Sequence, residues 1–234
     1  MNLVLVDPSE LVDDTVELTG RRATHIVTVL GATVGGRVRA GVVGGPRGIG
    51  EVVAIAPDRV TLRLALDEPA SRPLPVELVL AVPRPKVLSR TIEIAASFGV
   101  ARIELTNAWR VDKAYLKSPR LAPAALALAA RLGAEQGATT HVPAIRLHPR
   151  LMQRVDEPWP AGTRKLIAHP GGAPIVPGLL ARPCVLAIGP EGGWIQREVD
   201  TFVARGFEVV SLGAPILRVE AAVAALLGQL IMAG

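Results

Sequence analysis

The spacing of apolar residues changes near residue 76 and divides the chain into two parts. Before that point, short apolar or alternating runs are separated by Gly- and Pro-containing turns, and they lie at 35–43, 49–55 and 60–66. Short strands at such close spacing predict a small β-barrel. A short helix is predicted at 21–30, and the proline-rich stretch 68–75 is typical of a linker.

From residue 76 onward, apolar strands alternate with amphipathic helices. The predicted strands are 76–82, 102–106, 166–168, 185–188 and 207–211, and the predicted helices are 88–96, 124–132, 196–205 and 219–230. Gly99 follows the first helix where a C-terminal cap is expected. This alternation predicts an α/β domain with a mostly parallel sheet and helices on both faces. We therefore expect two domains, residues 1–70 and residues 71–234.

Composition narrows the classes of partner and location. The 234 residues include 26 Lys and Arg against 21 Asp and Glu, with a pI near 10.1, which favours a polyanionic partner. Cys184 is the single cysteine, so no intrachain disulfide is expected. No metal site is expected, because the four histidines have no ligand spacing with carboxylates. The N-terminus lacks a signal-peptide pattern and no run is long enough to cross a bilayer, so we expect a cytoplasmic protein without membrane contact.

Two loops near the C-terminus carry the strongest functional signal. Residues Leu186–Trp194 and Ser211–Glu220 each begin as an apolar strand, turn at Gly and Pro, and lead into a helix. Such turns let main-chain groups approach a ligand closely, and neighbouring parallel strands bring them to one edge of a sheet. Neither loop matches a Walker motif or Gly-x-Gly-x-x-Gly. A small-molecule site is predicted, and a nucleotide or sugar-phosphate ligand stays open at this point.

The same two motifs resemble a known family. Ile188-Gly-Pro-Glu-Gly-Gly-Trp194 with Glu198, followed by Leu212-Gly-x-x-Ile-Leu-Arg-x-Glu220, resembles the RsmE family of SPOUT-class RNA methyltransferases. More loosely, 25–35 resembles the family's PUA-like N-terminal barrel, and 98–110 resembles the start of its catalytic domain. The resemblance implies a trefoil-knotted, mostly parallel α/β domain that acts as a homodimer. It also implies methylation of uridine N3 in small-subunit ribosomal RNA with S-adenosylmethionine, on naked RNA or on the small ribosomal subunit.

The resemblance assigns roles to particular residues. Cofactor-binding positions would be Ala168, His169, Ile188, Gly189, Pro190, Glu191, Gly192, Gly193, Leu212, Gly213, Ile216, Leu217 and Arg218. Arg218 would stabilise the anionic uracil, with Glu191 or Glu220 as the base. RNA contacts are expected from Arg21, Arg22, Arg37, Arg39, Arg47, Arg84, Lys86 and Arg110. Trp109, Tyr115 and Trp194 are the candidate platforms for base stacking.

The chain departs from the family pattern at a few positions. Pro215 stands where the family usually has Arg, and Ala221 stands where it has Thr. A Glu at the end of the first catalytic-domain helix and an Arg after Gln136 are also absent. These departures leave two alternatives open: a catalytically weakened, S-adenosylmethionine-binding RNA-binding protein, or a SPOUT methyltransferase with a different RNA target.

Overall fold

The computed structural model describes residues 1–175, 183–213 and 216–231. They form two compact units. The first comprises residues 1–72 with 134–142, and the second comprises residues 73–133 with 143–234. The sequence places 134–142 after the predicted boundary, whereas in the structure these residues pack with the N-terminal unit.

The first unit is built on a six-stranded sheet. Its strands are β1 (Val4–Val6), β2 (Leu11–Val12), β3 (Thr15–Thr19), β4 (Arg37–Val42), β5 (Arg47–Ala56) and β6 (Arg59–Glu68), in the spatial order β1-β4-β5-β6-β3-β2. Inward-facing residues alternate along β3, β4 and β6, as the sequence pattern predicts for β4 and β6, and they enclose a core of Val, Leu and Ile. Two register shifts between β5 and β6 bend this long hairpin.

Several elements of this unit differ from the prediction. Strands β1, β2 and β3 were not predicted. Strands β1 and β2 are too short to show a clear period, and the alternation in β3 covers only five residues. Strand β1 pairs in parallel with the distant β4. The short helix predicted at 21–30 is present as one α-helical turn, α1 (Gly20–Thr24), that continues directly into a π-helical turn at His25–Val29. Only Ala23 and Ile26 of these two turns are buried, so the period of a longer helix does not apply.

The second unit is a six-stranded parallel sheet with helices. The strands are β7 (Leu74–Ala81), β8 (Val100–Thr106), β9 (Ala144–His148), β10 (Arg164–Pro174), β11 (Cys184–Ile188) and β12 (Glu208–Ser211), in the order β12-β10-β11-β7-β8-β9. Every described strand pair is parallel. The helices are α2 (Pro85–Ser97), α3 (Pro123–Gln136), α4 (Leu151–Val155), α5 (Gln196–Ala204) and α6 (Val219–Ile231), although residues 134–136 of α3 belong to the first unit. The predicted α/β architecture is confirmed.

Local sequence explains where the helices of this unit begin and end. Pro85 opens α2, where its missing N–H costs no hydrogen bond. Gly99 follows α2 with a φ of +73°, a conformation that favours glycine, as its predicted role as a cap requires. Strand β9 and helix α4 were not predicted, because β9 has a solvent-exposed pattern and α4 is a single turn. None of the helices within the described ranges is both long enough and apolar enough to span a membrane.

A buried ionic cluster lies where α4 packs against the sheet. The Arg154 guanidinium donates to Glu77 Oε1 from Nε at 2.8 Å and from Nη2 at 2.6 Å, and its Cζ lies 3.3 Å from the centre of the Trp159 ring. Glu104 is fully buried, with Oε2 2.6 Å from His148 Nε2 and Oε1 4.0 Å from Arg154 Nε. Burial raises the pKa of Glu77 above its ordinary value, and the hydrogen bonds from Arg154 oppose that rise. Arg154 therefore compensates the charge of two carboxylates within the unit.

The Cys184 thiol should be unreactive while the sheet is intact. It lies in β11, where every residue is buried, and burial raises the pKa of this thiol to about 12. We expect the native protein to resist alkylation by iodoacetamide at pH 8, whereas protein unfolded in guanidinium reacts at once. Mass spectrometry of timed samples measures both rates. Rapid labelling of native protein would contradict the expected burial.

Because the unfolded Cys184 thiol loses its proton near its ordinary pKa and the folded thiol does not, the free energy of unfolding should also fall as pH rises from about 9 toward 12.

Candidate functional site

The carboxyl ends of three neighbouring strands and the start of α6 surround one cavity of about 320 Å³ in the second unit. The strands are β10, β11 and β12, whose order in the sheet brings their following loops together. Twelve of the thirteen positions assigned to the cofactor line this cavity: Ala168, His169, Ile188, Gly189, Pro190, Glu191, Gly192, Gly193, Leu212, Gly213, Ile216 and Leu217. Arg218 is not among the lining residues. The cavity also has lining residues that were not assigned to the cofactor, and these are Pro170, Trp194, Val210, Ser211, Val219, Ala222 and Leu226.

The loop after β11 owes its shape to glycine. Gly193 has a φ of +69°, and its N–H donates to the Pro190 carbonyl at 2.7 Å, which closes a tight turn. A Cβ at Gly189 would lie 3.2 Å from the Trp194 backbone nitrogen and 3.3 Å from Gly193. Trp194 is 3% exposed and packs edge-on against Phe202 of α5. The loop is therefore anchored by the indole and leaves bare main chain along the cavity.

A serine joins the bulged end of β10 to the loop after β12. Ser211 Oγ donates to the Gly172 carbonyl at 2.9 Å and accepts from the Gly213 N–H at 3.3 Å. Strand β10 bulges between Ala168 and Ala173 while it pairs with β12, and a Cβ at Gly172 would lie 2.6 Å from the Val210 backbone. Sequence reasoning missed Gly172 and Ser211. The signal was present, because His169-Pro-Gly-Gly172 follows an apolar strand in the same way as the two loops that were recognised.

Two carboxylates tie the rim of the cavity to neighbouring loops. Glu191 Oε1 accepts from the Arg84 N–H at 2.9 Å. Glu198, on the first turn of α5, accepts from the Ile195 N–H through Oε2 at 3.0 Å and from the Trp109 N–H through Oε1 at 2.8 Å. The Arg110 guanidinium donates to the Gly192 carbonyl. The segment after β8 is thus fixed to the loop after β11.

Removal of the Glu198 carboxylate should loosen this connection. We expect Glu198→Ala to lower the free energy of unfolding by about 1–3 kcal/mol, because two main-chain N–H groups lose a charged acceptor. Urea denaturation followed by circular dichroism measures the change. Asp200→Ala is the matched control, since Asp200 lies on the same helix and its carboxylate accepts from exposed Gln196. Equal stabilities of the two variants would contradict the bridging role.

The three catalytic candidates have different surroundings. Arg218 is exposed at the start of α6, between two lining residues, and within the described ranges its side chain makes no ion pair. Glu220 is half-buried in the first turn of α6, where a carboxylate is favoured by the helix dipole. Glu191 lies on the cavity itself. The structure therefore does not pair Arg218 with either acid. Pro215, a departure from the family pattern, lies outside the described residues.

The RNA-binding candidates separate into engaged and exposed side chains. Arg21 pairs with buried Glu135, Arg22 is bonded to Glu10 and to the Leu5 carbonyl, and Arg47 pairs with Glu68. Arg37 and Arg39 are exposed on β4, and Arg84, Lys86 and Arg110 are exposed in the second unit. The first three arginines support the fold of the N-terminal unit, whereas the other five present charge to solvent.

The lining of the cavity indicates the class of ligand. No Lys or Arg belongs to the described lining, whereas Glu191 supplies a negative charge and the rest is glycine, proline and apolar side chains with Ser211 and His169. A phosphate ligand would need cations or an array of N–H donors here, so this lining favours a ligand without phosphate. The volume suits a small cofactor. The fold and the site define an α/β protein that holds a small molecule through main-chain loops at the edge of its sheet.

The comparisons with known proteins give the family. Residues 70–231 match the model of the RNA methyltransferase domain, and the chain belongs to that family. Two similar proteins are both named ribosomal RNA small subunit methyltransferase E. The one from Treponema pallidum is 27% identical, with 96% of this chain and 88% of that protein covered, and the one from Synechocystis is 26% identical, with 97% and 76% covered. The resemblance drawn from the two loop motifs is confirmed.

Solved structures show the same fold along nearly the whole chain. The ribosomal RNA small subunit methyltransferase E of Neisseria gonorrhoeae, bound to S-adenosyl methionine, superposes with a TM-score of 0.78 at 22% identity and covers 97% of this chain and 95% of that one. A Legionella pneumophila protein with bound cofactor SAM superposes with a TM-score of 0.76 at 23% identity, with the same coverage. The trefoil knot stays a prediction, because the loops after β10 and β12 continue into 176–182 and 214–215, outside the described residues.

Proposed function

We propose that this protein transfers a methyl group from S-adenosylmethionine to N3 of a uridine in small-subunit ribosomal RNA. The observation that carries the proposal is the cavity at the carboxyl ends of β10, β11 and β12, which the two recognised loops line together. The names of the Treponema and Synechocystis relatives support the ribosomal RNA substrate. The cofactor in the Neisseria structure supports S-adenosylmethionine as the methyl donor.

The residues of the cavity fit this cofactor. Gly189 and Gly193 have no side chains, so the N–H and carbonyl groups at these two positions of the loop after β11 can reach an adenine or a ribose. Gly213 has a φ of +94°, a conformation that favours glycine, and it opens the second loop in the same way. Glu191 provides a negative charge for a cationic ligand. S-adenosylmethionine, when bound, supplies a methyl group on a positively charged sulfur.

Side chains of this protein would remove the proton from N3 of the target base and stabilise the resulting anion. N3 of uracil is nucleophilic only after it loses its proton, so a base and a stabilising cation are required. Arg218 is the cation we assign, since its side chain is exposed beside the cavity and forms no ion pair among the described residues. The Glu191 or Glu220 carboxylate would accept the proton from N3, directly or through a water molecule.

We further propose that the two domains have different roles and that the protein forms a homodimer. Residues 1–70 would act as the PUA-like RNA-binding domain and residues 71–234 as the methyltransferase domain. Exposed Arg37 and Arg39 on β4 support an RNA-contacting role of the first domain.

The surface of α6 supports the proposed dimer, because a Cβ at Gly228 would meet no atom within 4 Å and Ile231 is 40% exposed. Multi-angle light scattering tests the dimer.

Two assays test the function. Calorimetry should detect binding of S-adenosylmethionine and of its demethylated product, while ATP and NAD should give no heat. Tritium from methyl-labelled S-adenosylmethionine should pass to small-subunit RNA or to the small ribosomal subunit, and nucleoside analysis should find the label at uridine N3. Binding without transfer to either substrate would identify a weakened RNA-binding protein instead. Transfer to another nucleoside would indicate a different target.

A further inference from the structure

Trp109 is the most exposed aromatic side chain in the part of the chain that the structure describes. Its indole is 78% exposed, in the loop that follows β8. The other two tryptophans are packed within the second unit: Trp194 is 3% exposed, and Trp159 lies between Arg154 and Phe207. An indole has a large apolar face and a polar N–H, a combination that is enriched at binding surfaces, so its position beside a functional cavity suits contact with a ligand.

The backbone that carries this indole is fixed. The Trp109 N–H donates to Glu198 Oε1 at 2.8 Å, and the next residue, Arg110, donates to the Gly192 carbonyl of the cavity loop. Before it, Ala108 is buried, and after it the Val111 N–H donates to the Ala108 carbonyl at 3.0 Å. The position of Trp109 is thus tied directly to the loop that lines the cavity. Pre-organisation of this kind lowers the entropic cost of binding a partner.

The segment that begins at Trp109 is basic along its length. We call residues 109–120 the basic loop. It contains exposed Arg110, Lys113, Lys117 and Arg120 against one acid, Asp112. Asp112 Oδ1 accepts from the Ala114 N–H at 2.9 Å, so this carboxylate serves the backbone of the loop itself. Short 3₁₀ turns at Tyr115–Lys117 and Pro119–Leu121 hold the loop in shape.

We propose that the basic loop binds single-stranded RNA beside the methylated nucleotide, with a base stacked on the Trp109 indole and phosphates on its cations. Proteins that bind single strands combine an aromatic face with a basic surface, as this loop does. A duplex would not expose a base face to the indole, so an unpaired segment is the partner that fits. The inference rests on the proposed function, since it places the strand at the site of methyl transfer.

Substitutions at Trp109 separate stacking from simple apolar contact. Trp109→Ala and Trp109→Leu should each weaken binding of a short oligouridylate at least about fivefold, because stacking on an aromatic face is lost. Trp109→Phe should retain most of the affinity. With ribosomal RNA as substrate, KM should rise and kcat should change little. Leu128→Ala is the control, because Leu128 is 52% exposed on α3 in the same unit and does not line the cavity.

Fluorescence provides a second readout on the unmodified protein. Oligouridylate should quench the Trp109 emission in the wild type and leave the Trp109→Phe variant nearly unaffected. An abasic ribose-phosphate oligomer of equal length carries the same charge without bases, so it should bind weakly and quench little. Alanine replacement of Lys113 and Lys117 together should reduce the salt dependence of oligouridylate binding without abolishing the quenching.

Several results would overturn the inference. If Trp109→Leu bound oligouridylate as tightly as the wild type does, stacking on the indole would be excluded. If the abasic oligomer quenched the emission as strongly as oligouridylate does, the binding would be electrostatic alone. Dissociation of a dimer into monomers in Trp109→Ala, seen by light scattering, would assign the indole to an interface between copies. Calorimetry distinguishes failure of this inference from failure of the proposed function. If the wild-type protein did not bind S-adenosylmethionine, the proposed function would be refuted, and the quenching experiment would still test the basic loop.

Discussion

Replacement of Arg218 by alanine is expected to lower kcat for methyl transfer at least about a hundredfold while cofactor affinity stays nearly unchanged. A cation that stabilises developing negative charge commonly contributes this much to a rate. Affinity should persist because Arg218 is exposed and does not belong to the cavity lining. Single-turnover transfer of labelled methyl groups to ribosomal RNA gives the rate, and calorimetry gives the affinity for S-adenosylmethionine.

Matched variants make the Arg218 test specific. Arg197→Ala removes another exposed arginine near the start of a helix, and it should leave the rate unchanged. Arg218→Lys keeps the charge but loses the planar fork, so partial activity is expected. A pH–rate profile would show whether the rate of methyl transfer depends on the ionisation of a carboxylate base. Turnover of Arg218→Ala equal to that of the wild type would exclude this residue from the chemistry.

Arg154→Ala should be the most destabilising single substitution we propose, with a loss of about 3–5 kcal/mol in the free energy of unfolding. Arg154 is 4% exposed and pairs with half-buried Glu77 and with buried Glu104, so its removal leaves both carboxylates without their guanidinium partner. The contact with the Trp159 ring is lost as well. Urea denaturation at pH 7 measures the change. Arg59→Ala is the control, because Arg59 and Glu17 form an exposed pair for which no measurable change is expected.

The loss in the free energy of unfolding caused by Arg154→Ala should depend on pH. The pKa of Glu77 is raised by burial in the wild type, and it should rise further once the opposing hydrogen bonds from Arg154 are gone. A carboxyl group whose folded pKa exceeds its unfolded pKa binds its proton more tightly in the folded state, so stability is lost as pH rises. The variant should therefore recover part of its deficit as pH falls from 7 toward 5. A deficit that is constant over this range would contradict the role of Glu77.

The site itself could be predicted because its determinants are local in sequence. Each recognised loop consists of a buried strand, a Gly/Pro turn and a polar segment, and parallel strands place such turns at one edge of the sheet. Twelve assigned positions accordingly surround the same cavity. Residue type alone did not separate Arg22, which is bonded to Glu10 and the Leu5 carbonyl, from exposed Arg37. That distinction depends on which acid the fold brings near.

Other features could not be predicted from periodicity. The pairing of β1 with β4, the packing of 134–142 with the N-terminal unit and the single turn of α4 all arise from contacts between distant residues. Ser211 reads as the last residue of an apolar strand, and only the fold shows that its hydroxyl joins the bulged end of β10 to the loop after β12. The fixed position of Trp109 likewise depends on Glu198, far along the chain.

The sequence by itself determined the alternation of strands and helices, the glycine-rich turns and the family to which the chain belongs, because these follow from short-range periodicity and backbone freedom. Only the tertiary structure decided which polar side chains are neighbours, since a hydrogen bond or an ion pair forms where the fold brings donor and acceptor together. That packing produces the two hydrogen bonds of Ser211, the burial of Arg154 beside two carboxylates and the exposure of Trp109.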